Sequence, residues 1–116
     1  MTKAVILHNP RCSKSRETLA LLNEQGIEVE VVEYLKDTPD AAEIRRILSL
    51  LGVSPRELMR TKEDEYKAQE LDNPALDDDE LIAYMVATPK LIERPVVLAN
   101  GKAAIGRPPV KVLDIL

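Results

Sequence analysis

Nine residues organise this chain: His8-Asn9-Pro10-Arg11-Cys12-Ser13-Lys14-Ser15-Arg16. They contain its one histidine and its one cysteine, and they lie between the apolar run Val5-Ile6-Leu7 and a leucine-rich segment typical of a helix. A cysteine at such a junction lies near free backbone N–H groups and the positive end of a helix dipole, which stabilise a thiolate. A lone cysteine is often an inert buried side chain, but three basic neighbours, Arg11, Lys14 and Arg16, favour a reactive thiolate beside an oxyanion-binding pocket.

The composition favours one domain of 116 residues with an aliphatic core, because the chain has three tyrosines and no phenylalanine or tryptophan. No apolar run approaches the roughly 18 residues of a membrane span, and the run at residues 4–7 is too short for a signal peptide. We therefore expect a cytoplasmic protein that does not act at a membrane. A net charge of −4 argues against nucleic acid as a partner, and a single cysteine excludes an intrachain disulfide or a multi-cysteine metal site.

The first half of the chain is predicted to form a βαβ unit followed by a helix. Lys3–Leu7 is short and apolar, a helix is expected from about residue 13 to 25, and residues 28–33 alternate as a strand with one wetter face. This spacing predicts a parallel pair of strands with a right-handed crossover. The next helix is expected to begin at Thr38-Pro39, with the threonine as its cap and the proline at its first position.

The second half is predicted to hold a helical block and then a hairpin. Capping signals indicate several helices across residues 54–88. Asn100-Gly101 is a strong signal for a tight turn between strands at 96–99 and 102–105. A last short helix is expected at 110–115.

This order resembles the thioredoxin/glutaredoxin arrangement. We therefore expect an α/β fold with a thioredoxin/glutaredoxin-like mixed sheet, in the order βαβα, helical insertion, ββα. We expect a single domain over residues 1–116, with the insertion at about 54–88. In folds of this type the proline before the third strand is cis and faces the active cysteine, so the resemblance implies a cis bond at Pro95 beside the site.

The stretch His8-Asn9-Pro10-x-Cys12-Ser13-Lys14-Ser15-Arg16 resembles the active-site signature of the glutaredoxin-coupled arsenate reductases. Three arginines stand where that family has its oxyanion-binding arginines: Arg60, Arg94 in Arg94-Pro95, and Arg107 in Gly106-Arg107-Pro108. Guanidinium groups suit this role because they bind pairs of oxygens and stay charged at all relevant pH values.

The resemblance also implies roles for the residues around the sulfur. Cys12 would be the nucleophile, and His8 and Ser15 would favour its thiolate, either as a cationic or as a hydrogen-bonding neighbour. The implied function is a glutathione- and glutaredoxin-dependent arsenate reductase, which reduces arsenate to arsenite through an adduct on Cys12. The chain has one cysteine and cannot resolve such an adduct alone, so external thiols are needed. Their identity, glutathione as co-substrate and glutaredoxin as partner, follows from the resemblance only.

We expect neither a metal nor a bound cofactor, because no glycine-rich phosphate loop and no second metal-type ligand accompanies His8. Two alternatives stay open. Cys12-Ser13-Lys14-Ser15 is a C-x-x-S motif, which is compatible with a glutathione-dependent thiol-disulfide oxidoreductase of the same fold. Regulators related to the family bind RNA polymerase and sense redox state, so a redox-regulatory binding protein is the second alternative, although Ser15 removes the usual dithiol. A tyrosine phosphatase is excluded, because its C-x5-R loop needs an arginine where this chain has Thr18.

Overall fold

The structure is a computed structural model that describes residues 3–116. Its strands are β1 Lys3–Leu7, β2 Glu28–Val32, β3 Val96–Ala99 and β4 Lys102–Ile105. Its α-helices are α1 Ser13–Glu24, α2 Ala41–Leu51, α3 Pro55–Leu58, α4 Asp64–Ala68 and α5 Asp78–Ala87, and 3-10 helices lie at Pro89–Leu91 and Pro109–Ile115. The chain divides into two compact units, one formed by residues 1–37 and 94–116 and the other by residues 38–93. That the whole chain acts as one domain with an insertion at about 54–88 stays a prediction.

The first unit contains a four-stranded mixed sheet in the order β2-β1-β3-β4. β1 is parallel to β2 and antiparallel to β3, and β3 is antiparallel to β4. Leu7, at the end of β1, pairs with Val32 on one side and with Val96 on the other. This register brings the loop after β1 next to the residues that precede β3, and it confirms the predicted α/β fold with a thioredoxin-like sheet.

The core of the sheet unit is aliphatic, as the composition predicted. All four residues of β3 are buried, and two of them, Val97 and Ala99, pack with residues from β1, from α1 and from the 3-10 helix at Pro109–Ile115. α1 turns the stripe Ser15, Thr18 and Leu22 inward, with the i, i+3, i+7 spacing of a helix face. Two of these buried positions are polar, and both lie in the first half of the helix, close to Cys12 in sequence.

Caps fix the helices of the second unit. α2 begins at Ala41 and not at Thr38, so the predicted cap at Thr38 is wrong. The carboxylate of Asp40 accepts the N–H of Glu43 at 2.8 Å and caps the helix instead. At the start of α5, Asp77 accepts the N–H of Glu80 at 2.8 Å. The acidic run at the start of α5 therefore caps this helix. Over residues 3–116, no helix combines the length and the apolar character needed to cross a bilayer.

Candidate active site

Cys12 occupies the N-cap of α1, with an extended backbone conformation. Its N–H donates to the carbonyl of Asn9 and its own carbonyl accepts the N–H of Arg16, both at 3.0 Å. The side chain of Cys12 makes no capping hydrogen bond, so the N–H groups of the first turn of α1 are not taken by its sulfur. Cys12 is only 8% exposed. The sulfur therefore lies at the helix end that attracts negative charge, and it is largely shielded from water.

Arg107 supplies a positive charge beside this sulfur. Its Nη2 lies 3.7 Å from the Sγ of Cys12, and its Nε donates to the carbonyl of Arg94 at 2.8 Å. Burial alone disfavours a charged sulfur, and a neighbouring guanidinium offsets that cost. The structure thus brings together two of the sequence-predicted site residues, Cys12 and Arg107, which are 95 positions apart in the chain.

His8 and Ser15 are joined in a buried hydrogen-bond network below the loop. The Oγ of Ser15 is 2.7 Å from the Nδ1 of His8 and accepts the N–H of Asn9 at 3.0 Å. A serine hydroxyl can donate one hydrogen bond and accept two, so the donor of the bond between Ser15 and His8 depends on which ring nitrogen of His8 carries the proton. Burial lowers the pKa of His8, an effect that Glu33 opposes and Arg16 reinforces. The neutral ring is favoured, and its recorded hydrogen-bond partner is Ser15. That His8 and Ser15 tune the thiolate of Cys12 stays a prediction.

Arg94 and Pro95 enter the site through their main chain. The Arg94–Pro95 bond is cis, as the resemblance implied. The carbonyl of Arg94 orients Arg107, and the carbonyl of Pro95 accepts the N–H of Gly106 at 2.9 Å. The Arg107–Pro108 bond is also cis. The sequence Gly106-Arg107-Pro108 contains no signal that would have predicted this, because most X–Pro bonds are trans.

Arg60 lies in the other unit, in the segment after α3. Its N–H donates to the carbonyl of Leu91 at 2.7 Å. Its guanidinium is paired with the carboxylate of Glu63, and its Nε is 3.8 Å from the Oε1 of Glu93. The sequence analysis missed both glutamates. The i, i+3 spacing of Arg60 and Glu63 could have revealed the first, but no local signal points to the second. The role of Arg60 in oxyanion binding stays a prediction.

The basic residues around Cys12 have different tasks. The guanidinium of Arg16 donates to the carbonyl of Pro10 at 2.9 Å and holds the loop against α1. Lys14 pairs with Glu17 on the exposed side of the helix at 3.5 Å. Arg11 is exposed, and its N–H donates to the side-chain oxygen of Asn9 at 3.0 Å. Of these three, Arg16 therefore shapes the loop, and Lys14 and Arg11 lie at the surface.

The donors at the site suit an oxyanion better than a metal ion. Cys12 contributes one sulfur, and its surroundings contribute a guanidinium and helix N–H groups, which are ligands for negative oxygen. Within residues 3–116, no three His, Cys, Asp or Glu side chains come together as a metal site would require. The expectation that the protein needs neither metal nor bound cofactor stays a prediction.

Comparison with known proteins adds to this geometry. The model of the ArsC family matches residues 7–115. An arsenate reductase of Neisseria meningitidis (serogroup A / serotype 4A) is 55% identical over 109 residues, which cover 93% of each protein. The uncharacterized protein YfgD of Escherichia coli (strain K12) is 60% identical over 118 aligned residues, which cover 100% of this chain and 99% of YfgD. The solved structure of an arsenate reductase from Vibrio cholerae superposes with a TM-score of 0.97 at 52% identity, over 99% of this chain and 98% of that one.

Proposed function

The chain belongs to the ArsC family, and from that membership we propose that it reduces arsenate to arsenite with Cys12 as the nucleophile. One structural observation supports the proposal independently of family membership. The guanidinium of Arg107 lies 3.7 Å from the sulfur of Cys12 at the N-terminus of α1. A guanidinium in this position stabilises the thiolate and attracts an oxyanion to the same place, which reduces the repulsion between the two negative charges.

The first chemical step joins sulfur to arsenic. The thiolate of Cys12 attacks the As(V) atom of arsenate, an S–As bond forms, and one arsenate oxygen leaves with two protons as water. Arg107 gathers the negative oxygens through its N–H groups. The side chain of Arg94 is a further candidate for this task, since the main-chain carbonyl of Arg94 accepts the hydrogen bond from the Nε of Arg107.

The second stage needs thiols from outside, because Cys12 is the one cysteine in the chain. Arsenic gains two electrons when the sulfur attached to it is attacked by another thiol, and two thiols together become one disulfide. The net change is one arsenate and two thiols to one arsenite, one disulfide and one water. We propose glutathione as the thiol and glutaredoxin as the protein that regenerates the system. We place the reaction in the cytoplasm, where these thiols are kept reduced.

The test is an arsenate-to-arsenite assay in which arsenite is quantified with glutathione and glutaredoxin present. We expect turnover in the wild type, none in Cys12→Ser, and little without added thiol. Arg46→Ala is a matched control, because that arginine pairs with Glu43 on the exposed side of α2.

Reduction of a small disulfide by glutathione is measured in parallel with the arsenate assay. Disulfide reduction without arsenate turnover would contradict the proposal and favour the thiol-disulfide oxidoreductase. Loss of both activities in Cys12→Ser, together with arsenate turnover in the wild type, is the result that supports it.

A further inference from the structure

We propose that Gly106 is a positioning residue that sets the approach of Arg107 to Cys12. Gly106 follows directly after β4 and precedes the arginine. A side chain at this position would collide with two neighbours, because an ideal Cβ lies 2.6 Å from the Oγ1 of Thr18 and 2.8 Å from the Cγ of Pro95. Both distances are well below van der Waals contact. A glycine is therefore required here because Thr18 and Pro95 leave no room for a side chain, and not because the backbone has a positive φ.

The neighbours of Gly106 are fixed, so they cannot easily yield to a side chain. Thr18 is fully buried on α1, and its hydroxyl donates to the carbonyl of Lys14 at 2.7 Å. Pro95 has a rigid ring in a cis peptide bond, and its carbonyl accepts the N–H of Gly106 at 2.9 Å. An added methyl would have to move residue 106 away from α1 and from Pro95 together.

The displacement would be passed on to the guanidinium. Residues 94–95 and 106–107 are joined by two hydrogen bonds, one from the N–H of Gly106 and one from the Nε of Arg107. α1 carries Cys12 at its start and Thr18 less than two turns later. The close contact of Gly106 with Thr18 thus ties the backbone before Arg107 to the helix that carries the sulfur. Moving residue 106 outward lengthens the separation of 3.7 Å between Nη2 and Sγ, beyond which the interaction with the thiolate weakens.

The experiment measures alkylation of Cys12 by iodoacetamide as a function of pH. We expect Gly106→Ala to alkylate about threefold or more slowly than the wild type at pH 7, since it loses part of a charge-assisted contact. The sign of the change separates positioning from general damage. Cys12 is 8% exposed, so a loosened fold would expose the sulfur and speed alkylation. A rate at pH 7 that is unchanged or faster in Gly106→Ala overturns the inference.

Two further variants sharpen the result. Gly26→Ala is the matched control, because Gly26 has φ +70° and open space around its Cβ, so alanine there strains the backbone in the same unit without touching Arg107. Its alkylation rate should not fall. The double variant Thr18→Ala/Gly106→Ala removes the atoms at 2.6 and 3.1 Å and leaves only the contact with Pro95, so part of the rate should return. Absence of any recovery contradicts the proposed contact.

If Gly106→Ala does not fold, the pair Thr18→Val and Thr18→Ala decides. The first puts a methyl group where the hydroxyl meets Gly106 and should slow alkylation, whereas the second opens space and should not. Equal rates in the two variants overturn the inference. Any effect of Gly106 on arsenate turnover rests on the proposed function, whereas the alkylation test of its position does not. A slowed alkylation without any arsenate turnover in the wild type would therefore retain the role of Gly106 and reject the activity.

Discussion

Replacing Arg107 with alanine should slow the alkylation of Cys12 at pH 7. The two side chains are in contact, with Nη2 3.7 Å from Sγ. Two full charges near this separation attract by about 4 kcal/mol at an effective dielectric constant of roughly 20. Arg107 is partly exposed and spreads its charge over the guanidinium, so we take the value for a hydrogen bond to a charged group, about 1.5–3 kcal/mol.

That free energy converts to a measurable change in rate. At about 1.36 kcal/mol per factor of ten, this free energy corresponds to a roughly 13- to 160-fold weaker stabilisation of the thiolate. A less stabilised thiolate is more nucleophilic, with a Brønsted coefficient of about 0.4–0.5, so the net rate at pH 7 falls by roughly four- to twentyfold.

The assay is pseudo-first-order alkylation by iodoacetamide at pH 7, followed by mass spectrometry. The rate of Arg107→Lys should lie between those of the wild type and Arg107→Ala, because one ammonium keeps the charge but cannot reach the carbonyl of Arg94 and the sulfur together. Arg46→Ala, remote in sequence and paired with Glu43, is the control and should react at the rate of the wild type. A rate of Arg107→Ala equal to that of the wild type would refute the argument that this guanidinium stabilises the thiolate.

Three further variants test the rest of the site. Arg94→Ala should raise the KM for arsenate and leave the alkylation rate near that of the wild type, since it is the main-chain carbonyl of residue 94 that holds Arg107; an alkylation rate as low as that of Arg107→Ala would contradict this. Ser15→Ala should cost about 1–3 kcal/mol in urea unfolding, because the N–H of Asn9 and the Nδ1 of His8 both lose their partner; a loss near zero would mean that the network is not formed. The pKa of His8 in the folded protein lies below the value of 6.5 taken for the unfolded chain. Between these two pKa values the unfolded chain binds more protons than the folded protein, so the free energy of unfolding rises with pH up to about 6.5. His8→Asn should abolish that rise, and an undiminished slope in the variant would assign it to other groups.

Local patterns in the sequence were sufficient for most of the sheet. β1, β3 and β4 lie where apolar runs and the turn at Asn100-Gly101 predicted them, and both turn residues have positive φ, 54° and 70°. These features depend on neighbours a few positions apart, which a single sequence displays directly. The start of α2 shows the limit of such reasoning. Thr38 and Asp40 are both good cap residues, and only the bond from the N–H of Glu43 decides between them.

The site itself required contacts over long separations in sequence. That a cysteine at the start of a helix is electrostatically favoured could be argued from residues 5–16 alone. That Arg107 meets its sulfur depends on the segment after β4, where Gly106 lies against Thr18 and Pro95. The resemblance to a family identified Arg107 as a site residue, but it gave no reason why this arginine lies next to Cys12. Steric constraints of this kind leave no periodic signal, because they involve one glycine and two residues far from it in the chain.

The three predicted oxyanion arginines, which the sequence pattern treats as equivalent, have different partners in the structure. Arg107 is oriented by the carbonyl of Arg94 and is in contact with the thiol, so its charge acts on the sulfur before any substrate arrives. Arg94 has a main-chain task that a side-chain substitution leaves in place. Arg60 is paired with Glu63 and Glu93, so an anion that binds to it must compete with carboxylates. It follows that loss of Arg107 should alter the reactivity of Cys12 itself, whereas the roles of Arg94 and Arg60 in oxyanion binding stay predictions.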